Sequence, residues 1–309
     1  MSRVAFIVGP TGSGKSALAL ELAARLGMEI VNADSRQVYR AMNIGTAKPT
    51  AAERVRVPHH LIDIRDPDQP LNVAEFASLA RAAISEIQSR GRHALVVGGS
   101  GLYLRALQGG VFASPPASRE FRDRLATIAA EHGIEHLHQR LAEVDPAAAA
   151  RIGHNDLYRI VRALEIYELT GEPISAHQAR HRFASAKFDS LTVGLDLERA
   201  QLYQAIERRF DQMMDAGLLD EVRELRARGY GESAPLRTIG YKHLAAYLNC
   251  ELSLEEAVSL AKRDSRRFAK RQLTWFRHEP AVVWLKPAFA LEHATGLVEK
   301  FFAEIGCAA

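Results

Sequence analysis

Short apolar runs alternate with helical repeats over the first hundred residues of this 309-residue chain. Residues 4–8, 29–33, 60–64 and 94–97 are apolar runs of strand length, and each is predicted as a strand. Residues 15–26 and 73–90 carry apolar side chains at helical spacing and are predicted as helices. This alternation is typical of a parallel sheet covered by helices on both faces, so the predicted fold class is α/β.

The pattern changes after Ser114-Pro115-Pro116. From about residue 118 to residue 182 the chain carries helical repeats and almost no strand signal, whereas the runs 191–197 and 282–285 indicate a return to the sheet. We therefore predict two domains. Residues 1–115 and 190–309 form the α/β core with C-terminal helices, and residues 116–189 form an all-helical insertion domain.

The first predicted strand leads into a sequence that matches the phosphate-binding pattern G-x-x-x-x-G-K-[ST] and opens the first predicted helix. The motif consists of Gly9, Pro10, Thr11, Gly12, Ser13, Gly14, Lys15 and Ser16. Its glycines let backbone N–H groups point at phosphate oxygens, while the helix N-terminus and Lys15 supply positive charge. Ser16 is placed to ligate Mg²⁺. The motif predicts a P-loop NTPase-like sheet that binds a polyphosphate or pyrophosphate.

A hydrolytic P-loop enzyme usually carries an acidic magnesium ligand at the end of a second strand. Here the run 94–97 ends instead in Gly98-Gly99-Ser100-Gly101. Asp63 and Asp196 lie within strand-like runs, but we interpret both as ordinary strand or loop positions. The sequence therefore weakens the interpretation as a plain ATPase.

Asp34 directly follows the second predicted strand. Because ligands of open α/β sheets bind outside the carboxyl ends of the strands, Asp34 is expected near the P-loop if the two strands are neighbours. A carboxylate there could accept a proton from a nucleophile. The alternative is an N-cap at the start of the next helix.

Five strings carry a resemblance to a known family: ADSRQVYRAMNIGTAKP at 33–49, PHHLIDI at 58–64, VGGSGLYLRAL at 97–107, IGYK at 239–242 and AKRQLTWFR at 269–277. In this order they resemble the signature of tRNA dimethylallyltransferases, also called tRNA isopentenyltransferases. The matches cover nearly the whole chain.

The resemblance implies an enzyme that transfers the dimethylallyl group of dimethylallyl diphosphate to N6 of adenosine 37, next to the tRNA anticodon, and releases diphosphate. It implies Asp34 as the general base, with Ser16 and Arg209 also catalytic. The P-loop would then hold the diphosphate together with Mg²⁺. Ser16 and Ser100 stand where the family often has threonine, and either hydroxyl can hydrogen-bond.

The resemblance implies that Ser100 helps to fix the target base and that the insertion domain contacts the anticodon stem-loop. The tRNA-facing positions implied by the resemblance are Asp34, Ser35, Arg36, Gln37, Ser100, Arg122, Tyr158, Arg159, Ile160, Val161, Arg162, Arg237, Thr238, Ile239, Gly240, Tyr241, Lys242, Lys270, Arg271, Gln272, Leu273, Thr274, Trp275, Phe276 and Arg277.

The net charge is only +3, so a grip on RNA must come from how the charges are placed. Residues 262–277 carry many basic side chains and a single acid, Asp264. On a helix, Arg263, Arg267, Lys270, Arg271, Thr274 and Arg277 would share one face, whereas Ala261, Phe268 and Leu273 would pack against the domain. A solvated charged face is the alternative, and the resemblance favours RNA binding.

Two cysteines provide no disulfide framework, and no apolar stretch is long enough to span a membrane. A monomeric cytoplasmic protein without a membrane partner is therefore expected. His132, His136 and His138 cluster in the predicted insertion, but we interpret their spacing as chance.

Three other functions stay open at this point. They are a P-loop kinase with Asp34 as the base, an isopentenyltransferase acting on free adenine nucleotides, and an RNA-binding module switched by a nucleotide. The insertion and the basic helix favour the tRNA substrate, since a free nucleotide needs neither.

Overall fold

The computed structural model describes residues 2–110, 115, 118–181 and 187–303. The chain divides into two compact units, one formed by Met1–Gln108 with Ala186–Ala309 and the other by Gly109–Ser185. We refer to them as the core unit and the helical unit.

The core unit contains a six-stranded parallel sheet in the order β3-β2-β4-β1-β5-β6. Its strands are β1 (Arg3–Val8), β2 (Glu29–Asn32), β3 (His59–His60), β4 (Ala94–Gly98), β5 (Asp189–Leu195) and β6 (Val282–Leu285). The α/β prediction is confirmed. All residues of β2 and β4 are buried, as the continuous apolar runs of a doubly covered parallel sheet require.

The described helices are α1 (Lys15–Leu26), α2 (Ala51–Arg56), α3 (Val73–Ser89), α4 (Gly101–Gly109), α5 (Arg119–His132), α6 (Ile134–Val144), α7 (Pro146–Ala149), α8 (Leu157–Thr170), α9 (Ile174–His181), α10 (Arg199–Asp215), α11 (Leu218–Ala227), α12 (Tyr241–Leu248), α13 (Leu254–Arg277) and α14 (Ala290–Ala303). Short 3-10 turns cover Ala234–Arg237 and Pro287–Phe289. None of the helices in this part of the chain is long and apolar enough to cross a membrane.

Side chains of β1 point alternately to the two faces of the sheet and enter two different cores. Ile7 packs with Leu22 of α1 on one face, together with α14. Phe6 and Val8 pack with Phe76 of α3 on the other. Helices on both faces thus bury the sheet.

The strand predicted at 60–64 is shorter than expected. It ends at His60, because Leu61 and Asp63 adopt the left-handed φ values of 62° and 57°, which no strand can accommodate. The Asp63 carboxylate accepts hydrogen bonds from Lys48 (2.6 Å) and Arg54 (2.8 Å). Asp63 is therefore a loop residue engaged in ion pairs, as the sequence interpretation held.

The basic helix α13 is longer than its charged segment. It begins at Leu254, where Ser253 and Glu256 form a reciprocal capping box, rather than at residue 262. Its buried face consists of Ala257, Ala261, Ala269, Gln272 and Phe276.

The described residues of the helical unit pack around Phe121, Leu125, Leu137, Leu141 and Leu164. Ile160 belongs to this core and is 0% exposed, and its assignment to the tRNA-facing segment stays a prediction. His138 contacts the carbonyls of Ala149 and Ile152 (3.2 and 3.0 Å), which gives this histidine a structural role.

Glu165 is a fully buried acid of the helical unit. Its carboxylate accepts hydrogen bonds from the Ser118 N–H (2.7 Å), from Arg122 (2.9 Å) and from Arg162. Burial alone would raise the pKa of Glu165, but these donors outweigh it and hold the pKa below its ordinary value of 4.5. The side chain is fully buried, so the two arginines depend on it for charge balance.

We expect Glu165→Gln to destabilise the helical unit by about 3 kcal/mol, because it removes the charge of a fully buried carboxylate that pairs with two partly buried arginines. Amide hydrogen exchange of α8 measures this loss. Because the pKa of folded Glu165 lies below that of the unfolded chain, its contribution is complete above about pH 4.5 and is lost at lower pH. The difference between variant and parent should therefore shrink on acidification. Glu168→Gln is the matched control, since Glu168 lies on the same helix, is exposed and pairs with Arg124.

Candidate active site

The predicted phosphate loop and Asp34 meet because their strands are neighbours. β4 lies between β1 and β2, with Val8 opposite Gly98 and Asn32 opposite Val97, so all three strands end at one edge. Gly98 has no room for a side chain, since a Cβ there would lie 2.2 Å from the carbonyl oxygen of Ala33. This close approach brings the turn after β4 against the turn that carries Asp34.

A cavity of about 670 Å³ opens at this edge, within the core unit. Many of the positions implied by the family resemblance line it together: Thr11, Lys15, Asp34, Ser35, Arg36, Ser100, Arg209, Arg237, Thr238, Ile239, Gly240, Tyr241, Lys242, Arg271, Gln272 and Trp275. Residues far apart in the chain thus share one surface.

The P-loop presents more positive than negative charge to this cavity. Lys15 and Arg209 both line it, and Arg209 contacts the Thr11 hydroxyl at 3.3 Å. Burial and, to a smaller extent, the charge of Arg209 lower the pKa of Lys15 to about 8, although Asp34 partly opposes both effects. Burial also lowers the pKa of Arg209. An anion in the loop would relieve this repulsion.

The loop has features that suit a phosphate. The Ser13 hydroxyl is buried and has no hydrogen-bond partner among the described residues. Gly12 adopts φ +80°, and a Cβ there would lie 2.7 Å from Ile206 on α10, so the loop packs directly against that helix. Because a buried polar atom normally has a partner, the free hydroxyl indicates a ligand site.

Asp34 is held by a local turn and does not cap a helix. Its N–H donates to Asn32 Oδ1 (3.2 Å), and its Oδ1 accepts from the Arg36 N–H (2.8 Å). The residues that follow are turns, and α2 begins only at Ala51, so the N-cap alternative is wrong. Asp34 Oδ2 accepts no hydrogen bond from the described residues. Nearby, the Ser100 hydroxyl accepts from the Ser35 N–H at 3.2 Å.

Gln272 joins α13 to two strand ends. Its Oε1 accepts from the Thr11 N–H (2.9 Å), and its Nε2 donates to the Gly99 carbonyl (2.8 Å). The side chain is buried, so it is engaged within the protein and not free on an RNA-facing surface. This is a role that the sequence did not indicate.

Phe276 is only 3% exposed and belongs to the core, and its place in the tRNA-facing segment stays a prediction. One expectation on α13 needs correction. Phe268 was expected to pack against the domain, but it is 38% exposed and lines the cavity, with the Arg271 guanidinium 5.7 Å from its ring centroid. Trp275 also lines the cavity, under the guanidinium of Arg105.

One wall of the cavity is apolar and was missed from the sequence. It is formed by Ile206, Phe210, Met213 and Leu218 of α10 and α11. The first three recur at helical spacing, a signal that marks a buried face but does not say which ligand or core it meets.

Ser16 lies on the first turn of α1 beside a second, smaller cavity of about 50 Å³, which Asn32, Asp34, Gln37 and His59 also line. The side-chain oxygens that line this smaller cavity are ligands of the kind that Mg²⁺ prefers. The described ranges contain no group of three or more His, Cys, Asp or Glu side chains that could hold a metal by themselves. A magnesium ion here would therefore depend on phosphate oxygens and water.

The other positions implied by the resemblance lie outside both cavities. Arg122, Tyr158, Arg159, Val161 and Arg162 belong to the helical unit, and Lys270, Leu273, Thr274 and Arg277 lie elsewhere on α13. Tyr158 is strongly exposed, as are the side chains of Arg159 and Arg277. Their proposed contacts with tRNA stay predictions.

The parallel sheet and the glycine-lined loop between β1 and α1 define a protein of the P-loop class. Residues 37–279 match the profile of the family described as IPP transferase. This chain belongs to that family.

Relatives match along almost the full length of the chain. It is 49% identical over 304 residues to tRNA dimethylallyltransferase 1 of Pelobacter propionicus, covering 97% of this chain and 98% of the relative. Among solved structures it resembles the full-length tRNA isopentenylpyrophosphate transferase of Bacillus halodurans, with 40% identity, TM-score 0.74 and 98% of both chains covered. It also resembles a eukaryotic dimethylallyltransferase acting on tRNA, with 27% identity, TM-score 0.84 and coverage of 98% and 80%.

We expect Gln272→Ala to weaken the binding of inorganic diphosphate about tenfold, because it removes the hydrogen bonds that tie the P-loop at Thr11 to the turn after β4 at Gly99. Isothermal titration calorimetry measures the affinity. Gln201→Ala, an exposed position on α10, serves as the control. Unchanged affinity in Gln272→Ala would show that the loop keeps its shape without this side chain.

Proposed function

We propose that this protein is a tRNA dimethylallyltransferase that moves the dimethylallyl group of dimethylallyl diphosphate to N6 of adenosine 37, beside the anticodon. The observation that carries the proposal is the single cavity in which a positively charged P-loop faces Asp34. Family membership and the names of the relatives support it. The proposed location is the cytoplasm.

The reaction breaks the C–O bond of the allylic diphosphate and forms a C–N bond to adenine, which loses one proton. The leaving diphosphate carries the charge that develops, so catalysis depends on groups aimed at its oxygens. Lys15, Arg209 and the P-loop amides fill that role. Burial and the nearby charge of Arg209 lower the pKa of Lys15, and a bound diphosphate would stabilise its charged form.

Magnesium is proposed as the cofactor, with the Ser16 hydroxyl as its protein ligand. When bound, it would neutralise part of the diphosphate charge. The residues fit this role, since Ser16 is exposed on the first turn of α1 and opens onto a cavity lined by oxygen donors.

Asp34 is the proposed base. The amino group of adenine is a weak nucleophile because its lone pair is conjugated with the ring, so removal of its proton must accompany bond formation. The Arg36 N–H fixes Asp34 Oδ1 and leaves Oδ2 as the acceptor for the N6 proton. Since Asp34 and the P-loop line the same cavity, donor and acceptor can be aligned within it.

The apolar wall suits the dimethylallyl group. Ile206 touches the P-loop at Gly12, so an apolar surface begins where the diphosphate cradle ends. A kinase acting on a small metabolite has no need for an apolar wall at this position. The wall therefore favours prenyl transfer over phosphoryl transfer.

A target base within an anticodon loop must leave its stack to reach this cavity, which costs a few kcal/mol. The RNA grip that offsets this cost is proposed to come from the exposed basic side chains of α13 and from the arginines of the helical unit. Lys270 is exposed, and Arg271 lines the cavity, so this pair stands at its entrance.

We expect Asp34→Asn to abolish dimethylallyl transfer to an anticodon stem-loop, because an amide cannot accept the N6 proton, while RNA binding persists. Mass spectrometry of the RNA after incubation with Mg²⁺ and dimethylallyl diphosphate measures transfer. Asp68→Asn, at an exposed position, is the control. An RNA of unchanged mass with the parent protein, together with phosphate transfer from ATP, would instead identify a kinase.

We expect the double substitution Lys270→Ala and Arg271→Ala to weaken stem-loop binding and to reduce the slope of log affinity against log salt by up to about two, because two phosphate contacts are lost. Fluorescence anisotropy at several salt concentrations measures the slope. The charge-matched control is Lys286→Ala with Lys300→Ala, both exposed and outside the cavity. An unaltered slope would show that Lys270 and Arg271 of α13 do not contact the RNA phosphates.

A further inference from the structure

Glu221 of α11 accepts hydrogen bonds from two parts of the cavity wall. Its Oε2 accepts the N–H groups of Asn43 (2.8 Å) and Ile44 (2.7 Å). Its Oε1 accepts the Gly45 N–H (3.1 Å) and the Tyr241 hydroxyl (2.6 Å). Three consecutive backbone amides converging on one group form an anion-binding nest, and here the anion is a side chain of the protein itself.

The nest forms part of the turn system that follows Asp34. Gly45 and Thr46 line the large cavity. The Gln37 side chain donates to the carbonyls of Thr46 (3.1 Å) and Ala47 (3.0 Å), and thereby ties the turn of Asp34 to the same loop. A short chain of hydrogen bonds thus runs from Glu221 through the loop to the Asp34 turn.

Tyr241 extends this connection to the opposite wall. It is buried and belongs to the cavity-lining segment of Arg237 to Lys242. Gly45 lies directly against its ring, since a Cβ at Gly45 would lie 2.6 Å from the ring edge. Burial raises the pKa of Tyr241, so the hydroxyl stays protonated and donates a hydrogen bond to Glu221.

We infer that Glu221 is a positioning residue for prenyl transfer. It clamps the Asn43–Thr46 loop to Tyr241 and so sets where the acceptor base is held relative to Asp34. The inference rests on the proposed function and adds to it a residue that lies outside the cavity. Glu221 does not touch the P-loop, whose hydrogen bonds run instead to Gln272 and Arg209.

A carboxylate is needed because every group around it donates. Four donors converge on two oxygens, and hydrogen bonds to a charged acceptor are stronger than those to a neutral one. The amide of a glutamine would direct its own N–H₂ group at one pair of donors. Replacement by glutamine therefore keeps the size of the side chain and removes its function.

The test is Glu221→Gln, assayed with an anticodon stem-loop and dimethylallyl diphosphate. We expect kcat/KM for the RNA to fall by up to about 100-fold, as expected for a displacement of about 1 Å between reacting groups. The dissociation constant for dimethylallyl diphosphate without RNA should change less than twofold. Glu221→Asp keeps the charge and should recover part of the loss.

Tyr241→Phe is the milder variant, since it removes one donor and leaves the Glu221 carboxylate with its three backbone N–H partners. We expect a fall in kcat/KM for RNA of about tenfold. In the double variant with Glu221→Gln, the two effects should combine to less than their product, because both disrupt the same contact. Glu224→Gln is the control, since this neighbour on α11 is exposed and, among the described residues, bonds Arg228 alone.

Unchanged kcat/KM for the RNA in both Glu221→Gln and Tyr241→Phe overturns the inference. Equal losses of RNA turnover and diphosphate binding also overturn it, because they indicate general damage. If the parent protein transfers no dimethylallyl group at all, the proposed function fails instead. Should Glu221→Gln not fold, the result with Tyr241→Phe decides.

Discussion

The site depends on two cations that are held out of solvent beside one P-loop. Lys15 is buried and Arg209 is half-buried. Burial lowers the pKa of both groups, the charge of Arg209 also lowers that of Lys15, and Asp34 opposes these effects. Such an arrangement is destabilising until an anion enters. The fold maintains it because the loop is fixed from three sides, by the sheet, by Ile206 of α10 and by Gln272 of α13.

Local patterns predicted the elements that lie in continuous apolar or helical runs. The sheet, α1, α3 and the helical character of residues 118–182 follow from spacing alone, and the order of strand ends placed Asp34 beside the P-loop. The strand predicted at 60–64 is too long because Leu61 and Asp63 adopt left-handed backbone, and Asp63 pairs there with Lys48 and Arg54. The hydrophobic pattern of the sequence does not reveal such a backbone conformation.

The residues missed at the site share one property: their roles arise from tertiary contacts. Glu221 belongs to an acidic stretch typical of a solvated helix, and only the folded loop brings three amides and a tyrosine to it. Gln272 was expected to face tRNA but is buried, and Phe268 was expected to pack against the domain but is exposed. Helical periodicity gives the faces of α13, but it cannot say that one of them meets a P-loop.

The two faces of α13 differ in how freely their residues can be substituted. Arg263, Arg267, Lys270 and Thr274 are exposed, so their identity can drift without disturbing the phosphate cradle. Gln272, less than one turn away, is bound to both the P-loop and the turn after β4. The outer surface of this helix can therefore diverge between lineages, while the inner surface keeps the P-loop and the neighbouring strand end in place.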